Sequence, residues 1–199
     1  MPRENKTRYA LLGMLTYSPM SGYDMKKVSD HSIGHFWNEN YGNIYPVLRK
    51  MEAEGLVTMI REDQEGAPAK KVYTITEAGR EELVSWLRRP AGHMILRDEL
   101  LLQVFFGQWT DPEVILGKIK AEDSRCAGII AVLEGIRAHM KSGEPVDGVD
   151  GGDMEKIASI KNAGIPFWRS TVEFGLRYYS GIRDWCAETI KRLESLQNE

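Results

Sequence analysis

The feature that most constrains this chain is a change of hydrophobic period at Gly55. Before it, Ile44, Val47, Leu48 and Met51 recur at i, i+3, i+4 and i+7, while Tyr45, Arg49 and Ala53 fall on the opposite face. That spacing predicts one amphipathic helix. Asn43 is its expected N-cap, which leaves Pro46 in the first turn, where a missing N–H is no loss, and makes Gly55 the residue just past its end. After Gly55, residues 56–62 and 71–76 are short runs rich in β-branched and aromatic side chains. The polar stretch Asp63-Gln-Glu-Gly-Ala-Pro-Ala between them reads as a hairpin tip.

The flanking residues complete the module. A first helix runs from about Thr7, with Ala10, Leu11, Met14 and Leu15 at helical spacing, and stops at Ser18-Pro19. Ser21, with Asp24 three residues on, reads as a capping box that opens a second helix carrying Lys26 and Lys27. Residues 31–40 read as a connection. Thr76 caps a return helix whose Leu83, Trp86 and Leu87 are expected to face inward, and which closes at Arg88-Arg89-Pro90. The order helix, helix, helix, hairpin, helix over residues 1–90 is the winged helix-turn-helix pattern, in which the third helix enters the major groove and the hairpin follows the backbone. Candidate DNA contacts are therefore Asn43, Tyr45, Arg49 and Lys50 on the third helix, with Lys26, Lys27, Lys70 and Lys71 as phosphate ligands. Each lysine taken singly reads equally well as solvated surface.

Charge restricts where such contacts lie. The formal charge of the 199 residues is -3. It splits at Pro90 into 13 Lys+Arg against 12 Asp+Glu before, and 13 against 17 after. Phosphate binding must then depend on clustering within the first half. Cys126 and Cys186 have no CxxC spacing, and His31, His35, His93 and His139 make no metal spacing apart from His31 and His35 at i, i+4 in a segment not read as helix, so no metal or cofactor is expected. No nucleophile elbow, phosphate-binding loop or dinucleotide fingerprint supports an enzyme reading. The polar N-terminus and the lack of any 18-residue apolar window lead to the expectation of a soluble, cytoplasmic chain.

The second half, residues 91–199, changes character. A helix over 97–108, almost wholly apolar from Leu100 to Phe106, is expected to be buried on most sides. Thr110-Asp-Pro-Glu starts a second helix, along which Ile115, Ile119, Glu122, Cys126, Ile129, Leu133, Ile136 and Met140 form a heptad-type seam. Residues 142–152 read as a flexible loop. A last helix from about Pro166 carries two stripes, one through Phe167, Thr171, Phe174, Tyr178 and Trp185, the other through Trp168, Val172, Tyr179, Ile182 and Cys186. Two stripes need two neighbours, the second being another subunit, and Phe167, Phe174, Tyr179, Ile182 and Trp185 are the candidate dimerisation residues. Trp109, His139, Trp168, Arg169 and Tyr178 are candidates for holding a small aromatic carboxylate, with core and interface packing as the other reading.

The segments Tyr9-Ala-Leu-Leu-Gly-Met-Leu, Ser21-Gly-Tyr-Asp, Tyr41-Gly-Asn-Ile-Tyr-Pro-Val-Leu-Arg-Lys-Met-Glu-Ala-Glu-Gly-Leu-Val and Tyr73-Thr-Ile-Thr-Glu-Ala-Gly resemble the PadR family of bacterial transcriptional regulators. Leu96-Arg-Asp-Glu-Leu-Leu-Leu-Gln-Val-Phe-Phe-Gly and Phe174-Gly-Leu-Arg-Tyr-Tyr are similar to the larger helical C-terminal domain of one of its subgroups, which includes a virulence-gene activator. The resemblance implies a mainly α protein, an N-terminal winged helix-turn-helix followed by a C-terminal antiparallel helical dimerisation domain. It further implies a homodimer on a palindromic operator, a repressor released by a small aromatic effector, and DNA-facing positions at Tyr23, Tyr41, Asn43, Tyr45 and Lys71. A winged helix used for protein contact, or an effector-binding protein without DNA binding, is the alternative.

Overall fold

The computed structural model describes residues 5–37, 41–64, 67–92, 96–142 and 154–196, without the side chains of 31, 41, 63, 64, 67, 68, 139, 141, 142, 154–163 and 196. Helix α1, Thr7–Leu15, presents Tyr9, Leu11, Leu12, Met14 and Leu15 to a core. Strand β1, Met20–Ser21, leads directly into α2, Gly22–His31, where Ser21 and Asp24 form the expected capping box. Helix α3 is Tyr41–Ala53, β2 is Val57–Gln64, β3 is Ala67–Ile75 and α4 is Glu77–Leu87. Ile44, Leu48 and Met51 of α3 join Leu11, Leu12, Met25, Val57, Tyr73 and Ile75 in one buried cluster, so the helical stripe and the hairpin share a core.

Three details correct the sequence reading. Helix α3 starts two residues before Asn43, so Asn43 is inside the helix and Pro46 lies beyond the first turn. The hairpin is one half of a three-stranded sheet in the order β1-β3-β2, with Met20 opposite Tyr73 and Ser21 opposite Val72. A two-residue strand has no period to betray it. Leu87, expected inside, is 64% exposed, because α4 ends there and only Leu83 and Trp86 pack on the core.

The end of α3 follows the pattern expected of glycine. Gly55 takes φ 72°, its N–H donates to Glu52 at 3.0 Å, and the Leu56 N–H donates to Met51 at 2.9 Å. This is a Schellman closure, and it puts Leu56 beside Met51 in the core while aiming the chain into β2. Thr76 then caps α4 by accepting from the Gly79 N–H at 3.1 Å.

The chain divides into two compact units, Met1–Ala91 with Pro145–Ile165, and Gly92–Glu144 with Pro166–Glu199. In the second unit, α5 is Glu99–Phe105, a 3-10 turn covers Gly107–Trp109 and α6 is Pro112–Ser142, while α7, Met154–Leu196, belongs to this unit from Pro166 onward. Helix α7 begins twelve residues before the expected start and carries Pro166 within it. Of the expected loop, residues 143–152 lie outside the described residues. The α6 seam holds, with Ile115, Ile119, Cys126 and Leu133 buried. Asp123 pairs with Arg183 and Lys120 with Glu194, so α6 runs antiparallel to the second-unit part of α7. The expectation that α5 is buried on most sides fails: it has no buried residue, and Phe105 is 75% exposed. Val104 packs against the cluster of Ile115, Ile119 and Cys186, while Leu101, Leu102 and Phe105 stay exposed among the described residues.

Candidate nucleic-acid interface

Helix α3 turns Ile44, Val47, Leu48 and Met51 inward, which leaves Asn43, Tyr45, Arg49 and Lys50 on its exposed face. Tyr45 is not free to swing. A Cβ placed on Gly22 would meet its ring at 2.8 Å, so the ring lies directly against the first residue of α2, and glycine is what lets it approach. Tyr23, the next residue, is 56% exposed, and the Lys27 ammonium sits 5.8 Å from its ring centre. Two tyrosines and a lysine thus stand where α2 and α3 meet. On the sheet side, burial pushes the Tyr73 phenol up, Glu52 adds to the shift and Arg49 opposes it, so Arg49 lies within electrostatic reach of β3. The Tyr41 side chain lies outside the described residues.

Ion pairing divides the candidate cations into two groups. Lys26 is paired with Asp30 one turn on and is largely buried. Lys70 is 2.9 Å from Asp24, whose carboxylate also accepts from the Ser21 N–H at 3.1 Å and the Ser21 hydroxyl at 2.8 Å. Burial raises the Asp24 carboxyl, but the hydrogen bonds from Lys70 and Ser21 outweigh it and hold the group below its ordinary value. Lys50 lies 3.9 Å from Glu54, which Arg8 also holds at 2.5 Å. Lys27, Arg49 and Lys71, by contrast, have no carboxylate within ion-pair distance among the described residues. Lysines 26 and 70 are therefore weaker candidates for phosphate than lysines 27 and 71.

The sequence reading passed over Arg61. It stands directly opposite Lys71 in the β2–β3 ladder, and both side chains are exposed. Register would have found it: residues paired across this hairpin sum to 132, from Val57 with Ile75 to Glu62 with Lys70. Without the tip geometry that sum is not known.

Among the described residues, Trp109, Trp168, Arg169 and Tyr178 do not line the open groove of the second unit. Trp109 is 84% exposed, Arg169 is engaged by Glu173 at 2.9 Å, Tyr178 stacks on Phe174, and the His139 side chain lies outside the described residues. Trp168 is half-buried. An open groove between α6 and α7 is lined instead by Asp123, Ile130, Ser180, Arg183, Asp184 and Ile190. The dimerisation candidates separate into two sets. Ile182 and Trp185 pack on Ile115, Ile119 and Cys186 of the same chain, and Tyr179 receives the Arg125 guanidinium on its ring at 5.8 Å. Phe167 and Phe174 are left in solvent. Both cysteines are free and buried, and burial, aided by the Glu122 carboxylate, pushes the Cys126 thiol up to about 11. Among the described residues no cluster suits a metal ion, and no helix is long and apolar enough to cross a membrane.

These features define a winged helix carrying a cationic, aromatic face, joined in sequence to an antiparallel helical unit. The profile of the transcriptional regulator PadR-like family matches residues 11–85, and that of the virulence activator alpha C-terminal domain matches residues 96–194. Residues 11–85 are thus similar to the PadR-like family of transcriptional regulators, and residues 96–194 to the C-terminal domain of the virulence activators. The negative transcriptional regulator PadR of Bacillus subtilis (strain 168) is 37% identical over 101 residues, 50% of this chain and 55% of that protein. A probable transcriptional regulator of Mycobacterium tuberculosis (strain ATCC 25618 / H37Rv) is 40% identical over 82 residues, 41% of this chain and 43% of that protein. The chain thus spans about half the length of the curated relatives it matches. Among solved structures, a PadR-like transcriptional regulator from Bacillus cereus superimposes with a TM-score of 0.72 at 28% identity, over 97% of this chain and 99% of that one. Bacillus subtilis PadR in complex with operator DNA does so with 0.71 at 22% identity, over 95% and 99%, a likeness of fold.

Proposed function

We propose that this regulator binds a palindromic operator in double-stranded DNA as a homodimer. Residues 1–90 serve as the DNA-binding domain and residues 91–199 as the dimerisation domain. The observation that carries the proposal is the division of α3 into a wholly buried stripe and an exposed row of Asn43, Tyr45, Arg49 and Lys50, flanked by Tyr23 and Lys27. Arg49, long, charged and uncommitted to a carboxylate among the described residues, is suited to reading a guanine edge, while Lys27 and Lys71 take backbone phosphates. Tyr41 and Asn43 near the start of α3 lie where free helix N–H groups favour phosphate. Two copies of α3 in successive major grooves set half-sites one helical turn or a multiple apart.

The exposed Phe105, Trp109, Phe167 and Phe174 support a second subunit as the missing neighbour of the helical unit. Regulation in the cytoplasm by repression accords with the Bacillus subtilis relative, a negative regulator. Release by a small aromatic effector is part of the same reading: that relative has also been solved in complex with p-coumaric acid.

A gel-shift titration at two salt concentrations, with duplex selected from a random pool and with random duplex, tests the proposal. The expected result is a palindromic selected site and an affinity that falls steeply with salt. Arg49→Ala should erase preference for the selected site, about 1–3 kcal/mol, whereas Lys71→Ala should weaken both duplexes alike. Salt-independent or absent binding would overturn the DNA reading. The effector arm is checked by thermal shift with p-coumaric acid, where an unchanged melting temperature counts against it.

A further inference from the structure

We infer that Arg61 and Lys71 form a two-cation phosphate clamp on the wing, a DNA contact that joins a residue of β2 to one of β3. The inference rests on the proposed DNA-binding function and adds a residue to it.

Arg61 and Lys71 are direct cross-strand partners, and directly opposed side chains in an antiparallel pair have Cβ atoms about 4.5–5.5 Å apart. Two like charges so placed repel, and a hairpin selected only for stability would alternate their signs. The neighbouring rung does so, with Glu62 opposite Lys70, and Lys70 is further neutralised by Asp24. At the Arg61–Lys71 rung neither cation has a carboxylate within ion-pair distance among the described residues. The repulsion is left unrelieved inside the protein, and an anion bridging the two would relieve it.

The placement of the rung names the anion. Strand alternation puts Arg61 on the same sheet face as Val57 and Met59, and Lys71 on the same face as Tyr73 and Ile75. Those four residues belong to, or pack against, the core shared with α3, so the cation pair continues that face outward beyond the core, where both side chains are exposed. Arg49 of α3 lies within electrostatic reach of Tyr73, two residues along the strand from Lys71. The exposed Arg49, Lys71 and Arg61 therefore make a row from α3 onto the wing, linked through the buried Tyr73. A duplex with its major groove on α3 carries a phosphate strand along that row, and a guanidinium beside an ammonium suits a phosphate, the first as a planar fork and the second as a point charge.

The test is a fluorescence-anisotropy titration of the full chain against the selected duplex and a random duplex over a salt series. Arg61→Gln, Lys71→Gln and the double variant are compared with the unaltered protein, with thermal melting recorded without DNA. The clamp requires that Arg61→Gln weaken both duplexes by a similar factor, about tenfold at low salt. It also requires that the slope of log affinity against log salt fall by about one phosphate per subunit, as for Lys71→Gln. The double variant should lose less than the product of the single losses, because each cation alone holds the shared phosphate poorly. Melting in low salt should be unchanged or higher in Arg61→Gln, since repulsion has been removed; this separates a lost contact from a damaged wing. If the unaltered protein binds DNA and Arg61→Gln leaves the salt slope unchanged, the clamp is wrong and the DNA reading stands. If the unaltered protein shows no salt-dependent binding, both fall.

Discussion

The winged helix and the helical unit treat their large apolar side chains in opposite ways. In the first, the stripe of α3, the inner face of the hairpin and helices α1 and α4 converge on one cluster, in which Leu12, Met25, Ile44 and Leu48 have no exposed surface at all. In the second, Ile115, Ile119 and Cys186 cluster and Leu116, Cys126, Leu133 and Val172 are also buried, but Phe105, Phe106, Trp109, Phe167 and Phe174 stay exposed. Apolar surface removed from water is worth about 25 cal/mol per Å², so five uncovered aromatics are a sizeable stabilisation left unused by one chain. The winged helix is thus closed within one chain, whereas the helical unit leaves an apolar face open.

The largest effect is expected where the closed core has no slack. A Cβ on Gly79 would lie 2.2 Å from the Leu56 carbonyl oxygen and 2.9 Å from Ile75. That oxygen already accepts the Thr76 N–H at 3.1 Å, so it is fixed backbone at the junction of β2, β3 and α4. Gly79→Ala should cost about 4 kcal/mol, at the upper end for one substitution, and lower the melting temperature by about 15 °C or more. Calorimetry showing a loss below about 1 kcal/mol would mean that the junction yields, and that the winged helix is less tightly closed than its burial indicates.

Next comes the open side of the helical unit. Phe105→Ser with Phe174→Ser removes two exposed aromatics without touching the internal cluster. The dimer dissociation constant should rise about a hundredfold, near 2.7 kcal/mol, by sedimentation equilibrium. The melting of the winged helix should not follow. An unchanged dimer would place the interface elsewhere and remove the reason given for the exposed face.

What the sequence made legible follows the same divide. Period, the caps Ser21 and Thr76 and the glycine after α3 marked α1, α2, the end of α3 and the start of α4, because Ile44, Val47, Leu48 and Met51 answer to neighbours in the same chain. Strand β1 escaped, since Met20 and Ser21 pair with residues more than fifty positions away and show no pattern of their own. In the second half the two stripes of α7 were legible, but the assignment of residues to neighbours was not: Ile182 and Trp185 went inward and Phe167 and Phe174 outward. An apolar run such as Leu100 to Phe106 says that something will cover it and is silent on which chain supplies the cover. Among the site residues, charge type was legible and charge pairing was not. Nothing local distinguishes Lys26, held by Asp30, from Lys27, which is not.

Asp24 gives the third prediction, of intermediate size. It closes the capping box of α2 and holds Lys70, so Asp24→Asn should cost about 1–2 kcal/mol. The sign with pH follows from the carboxyl being held below its ordinary value. Its contribution is fully present above the unfolded carboxyl value, about 3.9, and is lost as pH falls through the lowered folded value. Asp24→Asn should therefore flatten the acid limb of a stability profile below about pH 4, and should also release Lys70 and raise affinity for random duplex at low salt. A variant with the acid limb of the original would show that Asp24 is not what ties the wing to α2.

The smallest effect has the opposite sign and asks whether any partner reaches the middle of α6. Gly135 is exposed inside a long helix, and a Cβ there would meet nothing within 4 Å in the chain. In solvent, Gly135→Ala should stabilise by about 0.5–1 kcal/mol, by restricting the unfolded chain and favouring the helix. The same substitution under a closely packed second subunit would push two backbones apart. A rise in melting temperature with an unchanged dimer constant puts Gly135 outside the interface and leaves α5 and the outer stripe of α7 as the covered face. A weaker dimer extends the interface along α6, and the uncovered aromatics then mark only one end of the surface that the second subunit completes.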